Sequence, residues 1–74
     1  MAKTVSGKYC VKILCRYFGF FVVSQKGSHI KLRRMVGRQT VTTIVPNHPE
    51  LSIGTLRGVL ELAEVDEAAF LEHA

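Results

Sequence analysis

The first 49 residues of this 74-residue chain contain neither aspartate nor glutamate. The same stretch holds nine basic residues: Lys3, Lys8, Lys12, Arg16, Lys26, Lys31, Arg33, Arg34 and Arg38. All six acids fall after it, beside a single base, Arg57, so a net charge of +4 conceals a +9 segment followed by a −5 segment. A cationic field with no acids to quench it is the footprint of a polyanion binder. Composition alone does not separate RNA, DNA and anionic lipid. Carboxylates that converge on a phosphate, which two-metal nucleases need, are absent from the basic segment. No Cys/His spacing suits zinc, and no glycine-rich loop of the nucleotide-binding kinds occurs. No cofactor or metal is therefore expected.

Tryptophan is missing and cysteine is scarce. Cys10 and Cys15 lie five apart in a helical pattern, which turns them roughly 140° from each other and rules out a bridge. Reduced thiols fit a reducing compartment. The start, MAKTVSGKYC, lacks a signal-peptide pattern, and no apolar run approaches the roughly 20 residues of a membrane span. A soluble, cytoplasmic, non-membrane protein is expected. Seventy-four residues make one domain, in which folding buries about 60% of the chain's surface. With 47% hydrophobic residues such a domain can build one core without staples.

What is present is a clear order of elements. Ser6 is an N-cap, and Cys10, Ile13, Leu14 and Tyr17 follow the spacing of a buried helical stripe. Lys8, Lys12 and Arg16 recur every four residues as a basic ridge. Gly19 suits a left-handed helix end, with Phe20 folding back. Then FFVVSQ reads as a strand, KGS as a turn, HIKLRR as an alternating strand, MVGRQ as a second turn, and TVTTIV as a third strand that Pro46 stops. In FFVV, Phe20 and Val22 are expected to oppose Phe21 and Val23, with one pair partly exposed. A second helix starts at Ser52 with the stripe Leu56, Val59, Leu60 and Ala63, and carries an Arg57/Glu61 pair at i, i+4. A short third helix follows a cap at Asp66, with Val65 and Phe70 as a staple.

The layout is α-β-β-β-α plus a short C-terminal helix, an α+β domain with a three-stranded antiparallel meander. The Ile30/Leu32 side of the middle strand must meet the helices, which leaves His29, Lys31 and Arg33 on the open face.

His29 has the best chemical setting of the three histidines. A turn holds it, the small Gly27 and Ser28 let a bulky substrate approach, and cations share its face. An imidazole there can move a proton of a ribose 2′-hydroxyl, and neighbouring cations can stabilise charge growing on a phosphate. From the residues alone, a turn histidine that only binds phosphate, or has no role, is the favoured reading. His48 suits either a second proton-transfer role or loop anchoring, and His73, near the end of the chain, is expected to be inert. A non-catalytic RNA-binding module and a basic face that only docks an acidic partner stay open.

Three pieces follow one another along the chain: SGKYCVKILCRYFGF, then QKGSHIKL, then TTIVPNHPELSIGTLRGVLELAEVDEAAFL. Together they closely resemble the HicA (YcfA-like) toxin family over about residues 5 to 71. The resemblance implies a double-stranded-RNA-binding-domain-like fold with both helices on one sheet face. It also implies the toxin of a type II toxin–antitoxin pair, acting as a metal-independent endoribonuclease (an mRNA interferase). The implied partners are mRNA and a HicB-like antitoxin, in either a homodimer or a toxin–antitoxin hetero-oligomer. The family's catalytic histidine, in GSH, is His29 here. Lys8, Lys12, Arg16, Lys26, Ser28, Lys31 and Arg33 are the expected RNA contacts. Three positions depart from the family pattern. Ser24 stands where many relatives carry a base, the HPEL loop is shorter than the HPGKEL type, and Ile53 replaces a frequent proline.

Overall fold

The computed structural model describes residues 4–74, so Lys3 lies outside the described residues. The elements follow in the order α1 (Gly7–Tyr17), β1 (Phe21–Lys26), β2 (His29–Val36), β3 (Gln39–Pro46), α2 (Ile53–Ala63) and α3 (Glu67–Leu71). α1 starts where the Ser6 hydroxyl accepts the Tyr9 amide at 3.0 Å, satisfying a donor that has no partner within the helix. Gly19 closes it at φ 75°, and the Phe20 amide returns to the Leu14 carbonyl at 3.2 Å. Cys10, Ile13 and Leu14 are buried as the periodicity predicts. Tyr17 is not: it is 50% exposed. Phe20, folding back past Gly19, is buried in the core at that end of the helix instead.

The three strands form one antiparallel sheet in the order β1-β2-β3. Each hairpin turns through two residues, Gly27–Ser28 and Gly37–Arg38, with the first at φ 56° and 61° respectively. A side chain at either glycine would be strained in that conformation. Along β2 the alternation is as expected: Ile30 and Leu32 are buried and His29 is exposed, with Lys31 and Arg33 half-buried.

β1 breaks the expected alternation. A bulge between Val22 and Ser24 sets Phe21 opposite Arg33, Val22 opposite Leu32 and Ser24 opposite Lys31, with Val23 as the extra residue. Phe20 precedes the strand and is buried, whereas Phe21, Val22 and Val23 are all exposed. Sequence alternation has no signal for a bulge, so the expected pairing of Phe20 with Val22 fails here.

α1 and α2 both pack against β3, whose Val41, Thr43 and Val45 are buried. Thr43, the buried polar residue of this core, donates its hydroxyl to the Val59 carbonyl of α2 at 2.8 Å. α2 has the predicted Ser52 cap and Leu56/Val59/Leu60/Ala63 stripe, and Asp66 caps α3. Val65 and Phe70 both join the core. Arg57 pairs with Glu67 on α3 at 2.8 Å rather than with Glu61. The reversed i, i+4 order is a weak attraction, and the turn after α2 brings a better-placed carboxylate.

Sequence reasoning gave Arg34 no role, yet it ties the sheet to both long helices. Its Nη1 donates to the Phe18 carbonyl at 3.3 Å, and its Nη2 to those of Ala63 at 3.1 Å and Glu64 at 3.2 Å. These are the C-terminal ends of α1 and α2, where unpaired carbonyls and the helix dipole attract a cation. The guanidinium also lies 5.0 Å from the centre of the Phe20 ring. The last carbonyl belongs to Glu64, which adopts a left-handed φ of 56° although it carries a side chain. Replacing Arg34 with Met, which keeps the stem and removes the donors, is expected to cost about 2–3 kcal/mol. Urea unfolding checks this, and a loss below about 0.5 kcal/mol would deny the arginine its role.

Candidate functional site

The hairpin that carries His29 is held by its neighbours at one end of the sheet. Lys26 and Pro46 flank His29 in register on β1 and β3. Just before it, the Ser28 carbonyl accepts the Asn47 amide, and the next residue's carbonyl, that of His48, accepts the Gly7 amide at 2.8 Å. The segment preceding α1 is tied in as well, because the Val5 carbonyl accepts the Leu51 amide at 2.8 Å. Thus the GSH turn, the PNH loop and the SGK helix start, far apart in sequence, converge on one corner.

Gly7 makes that convergence possible. A Cβ at this position would lie 2.0 Å from the Pro46 carbonyl oxygen and 3.0 Å from the Asn47 Cα. No rotamer relieves a clash between a Cβ and the backbone, so the helix start must be glycine to approach so closely.

Around His29 the open face forms a cleft of about 680 Å³ lined by Ser24, Gln25, Lys26, His29, Lys31 and Ile44. The His29 ring is exposed and takes part in no hydrogen bond among the described residues. Arg33 lies four residues beyond His29 on the same face, its Nε donating to Thr42 Oγ1 at 3.2 Å. No residue of the three strands is acidic. An unpartnered imidazole beside free ammonium groups on an acid-free sheet can bind a phosphodiester and move a proton next to it.

The other residues expected at the site divide between separate clefts. Lys8 shares one of about 300 Å³ with Ser6, Asn47, His48 and Pro49, next to the shared corner. Lys12 and Arg16 line a smaller one of about 120 Å³ with Tyr9, Ile13, Tyr17 and His73. Lys8 and the Lys12/Arg16 pair thus border different clefts, neither of them the one at His29. Ser28 meets the corner through its carbonyl. His48 does anchor its loop, but through its carbonyl rather than its ring.

His73 is packed against α1 rather than loose at the chain's end. It stacks on Tyr17 with ring centres 3.8 Å apart and planes 10° from parallel, and meets Phe18 edge-on at 5.9 Å. Its carbonyl accepts the Tyr9 hydroxyl at 3.3 Å. Sequence spacing carries no signal for this contact, since it joins residues more than fifty positions apart.

The two cysteines are free thiols. Burial pushes the Cys10 thiol up to about 12 and raises that of Cys15 as well, so neither is poised as a thiolate nucleophile. Among the described residues no cluster of three or more His, Cys, Asp or Glu side chains is placed to hold a metal ion. No helix among them is long and apolar enough to cross a membrane.

A toxin of the toxin–antitoxin class is what the comparison with known families identifies. The family model described as HicA toxin of bacterial toxin-antitoxin matches residues 7–65, so the chain belongs to the HicA toxin family. Membership implies an antitoxin partner, and the family is generally one of ribonuclease toxins. No curated protein and no solved structure was found to match.

Gly7→Ala is expected to destabilise the fold by about 1–3 kcal/mol, because the helix start must withdraw from Pro46. Hydrogen exchange should show the Asn47 amide losing protection more than the amides of α2. A variant as stable as the native chain, with the Asn47 amide unchanged, would contradict the close-approach argument.

Proposed function

We propose that this toxin is a metal-independent endoribonuclease that cleaves mRNA, with His29 as its proton-transfer group. The observation that carries the reading is an exposed, unpartnered imidazole in a cleft with Lys26 and Lys31, on a sheet without a single acid. In this reading His29 takes the proton from a ribose 2′-hydroxyl. The 2′ oxygen attacks phosphorus, the bond to the 5′ oxygen breaks, and that oxygen takes up a proton from solvent. The products end in a 2′,3′-cyclic phosphate and a 5′-hydroxyl. Lys31 is the local cation for charge growing on the phosphate, with Lys26 across the strand and Arg33 further along the chain. Single-stranded message suits this site better than a duplex, because a flexible backbone can reach the in-line geometry.

Metal independence rests on the donor set, since the strands offer no carboxylate to hold a cation at the phosphate. Lys8, beside the shared corner, is a contact for a neighbouring phosphate, as is Ser28 at the turn. Lys12 and Arg16 would touch only RNA that wraps away from the sheet. The antitoxin is proposed to be HicB-like and to block the toxin by covering the His29 cleft.

Incubation of RNA with the purified toxin in EDTA tests the reading. The native protein is expected to leave 2′,3′-cyclic phosphate ends. His29→Ala, which removes no hydrogen bond and should stay folded, is expected to slow cleavage by about 100-fold or more. Equal cleavage by both proteins would take His29 out of the mechanism. Salt-sensitive RNA binding without scission by the native protein would favour a non-catalytic binding module.

A further inference from the structure

Phe21 is a large apolar side chain on the face that carries the candidate cleft, and no part of the proposed chemistry uses it. It is 49% exposed and faces Arg33 in register. The bulge puts it there. From Lys26↔His29 to Ser24↔Lys31 the two strands pair in regular steps, and continuing those steps would set Phe21 opposite Arg34, on the helix side. The extra residue at Val23 moves Phe21 one place, opposite Arg33, and so turns it to the open face. Bulges next to functional sites often re-aim one side chain in this way.

We infer that Phe21 is a base-stacking subsite for single-stranded RNA laid along β2, about two nucleotides from the phosphate held at His29. The inference rests on the ribonuclease reading and adds the path of the strand. His29, Lys31 and Arg33 succeed one another on one face of β2, with a step of about 6.8 Å for every two residues. That step is comparable with the distance between successive phosphates of an extended single strand. Two steps from His29 lead to Arg33, and Phe21 stands beside it. The Arg33 Nε donates to the Thr42 hydroxyl on β3 at 3.2 Å, which restrains that cation on the β3 side of β2 and leaves the Phe21 ring on the β1 side uncovered by it. Alternating cations for phosphates and an aromatic face for a base are the elements of sequence-tolerant single-strand binding, and sheet aromatics serve this purpose in other RNA-binding folds. Charge favours RNA over an apolar protein partner, because such a partner would have to bury a row of cations among which the sheet places no acid.

Chain-length dependence of cleavage is the test, using a dinucleotide and oligonucleotides lengthened by two residues at either end. The native toxin is expected to gain in kcat/KM when the substrate is extended on one side only. Phe21→Ala and Phe21→Leu should cut that gain by roughly 5- to 150-fold, as loss of one base–aromatic stack does. Phe21→Trp should restore it, and an abasic residue at the added position should remove it from the native protein. The circular dichroism spectrum and melting curve verify that each variant is folded. An unchanged length dependence in Phe21→Ala would overturn the subsite. So would a loss of antitoxin binding in that variant with normal cleavage of long RNA, which would assign the ring to a protein interface. If the native toxin cleaves nothing, the ribonuclease reading falls. The subsite is then read separately from the anisotropy of 2′-O-methyl oligonucleotides, and equal binding by native protein and Phe21→Ala overturns it.

Discussion

The placement of the candidate site depends on a contact that only glycine allows, between the start of α1 and the end of β3 at Pro46 and Asn47. Two backbone hydrogen bonds extend it, from Gly7 to the His48 carbonyl and from Asn47 to the Ser28 carbonyl. Through them a helix start, a loop and a hairpin turn that are distant in sequence share one corner. His29 follows Ser28 directly, so the first residue of β2 is fixed by neighbours on both sides while its ring stays free. A backbone held on both sides under an unpartnered side chain suits the proton transfer proposed for it. At the far end of the sheet Arg34 serves the complementary purpose, holding the C-terminal ends of both long helices against β2.

The charge distribution acquires a shape once the chain is folded. All three strands come from the acid-free part of the sequence, so every charged side chain they place on the open face is a cation. The acids gather from Glu50 onward, on the loop and on the C-terminal helices, and one of them is occupied with Arg57. A polyanion would be drawn to that face, where His29 stands. The cations of α1 are divided: Lys8 stays near the shared corner, while Lys12 and Arg16 line a cleft closed by the Tyr17–His73 stack.

Much of this was legible in the sequence. Helix stripes, caps, both glycine turns and the alternation of β2 follow from local periodicity and turn chemistry, and they suffice to put His29 on the open face. What the sequence concealed was tertiary. Arg34 looks like one more surface cation in HIKLRR, because nothing local marks the helix ends it reaches. Tyr17 obeys the apolar spacing of α1 but is left outside when Phe20 folds back into the core. The bulge at Val23 is invisible in FFVV, where four apolar residues give alternation nothing to act on. Arg57 found its partner across a turn rather than one helical turn away, since exposed pairs are settled by small energies. The ordered motifs identified the family, but their meeting at one corner required the folded chain.

The most direct test of the central claim, that RNA engages the acid-free face around His29, is a nuclear magnetic resonance titration of the toxin. The ligand is a short single-stranded RNA carrying 2′-O-methyl groups, so that nothing is cleaved during the measurement. The largest amide and imidazole shifts are expected at Ser24–Lys26, His29, Lys31 and Arg33. Shifts confined to Lys12, Arg16, Tyr17 and His73, with β2 unmoved, would contradict the claim.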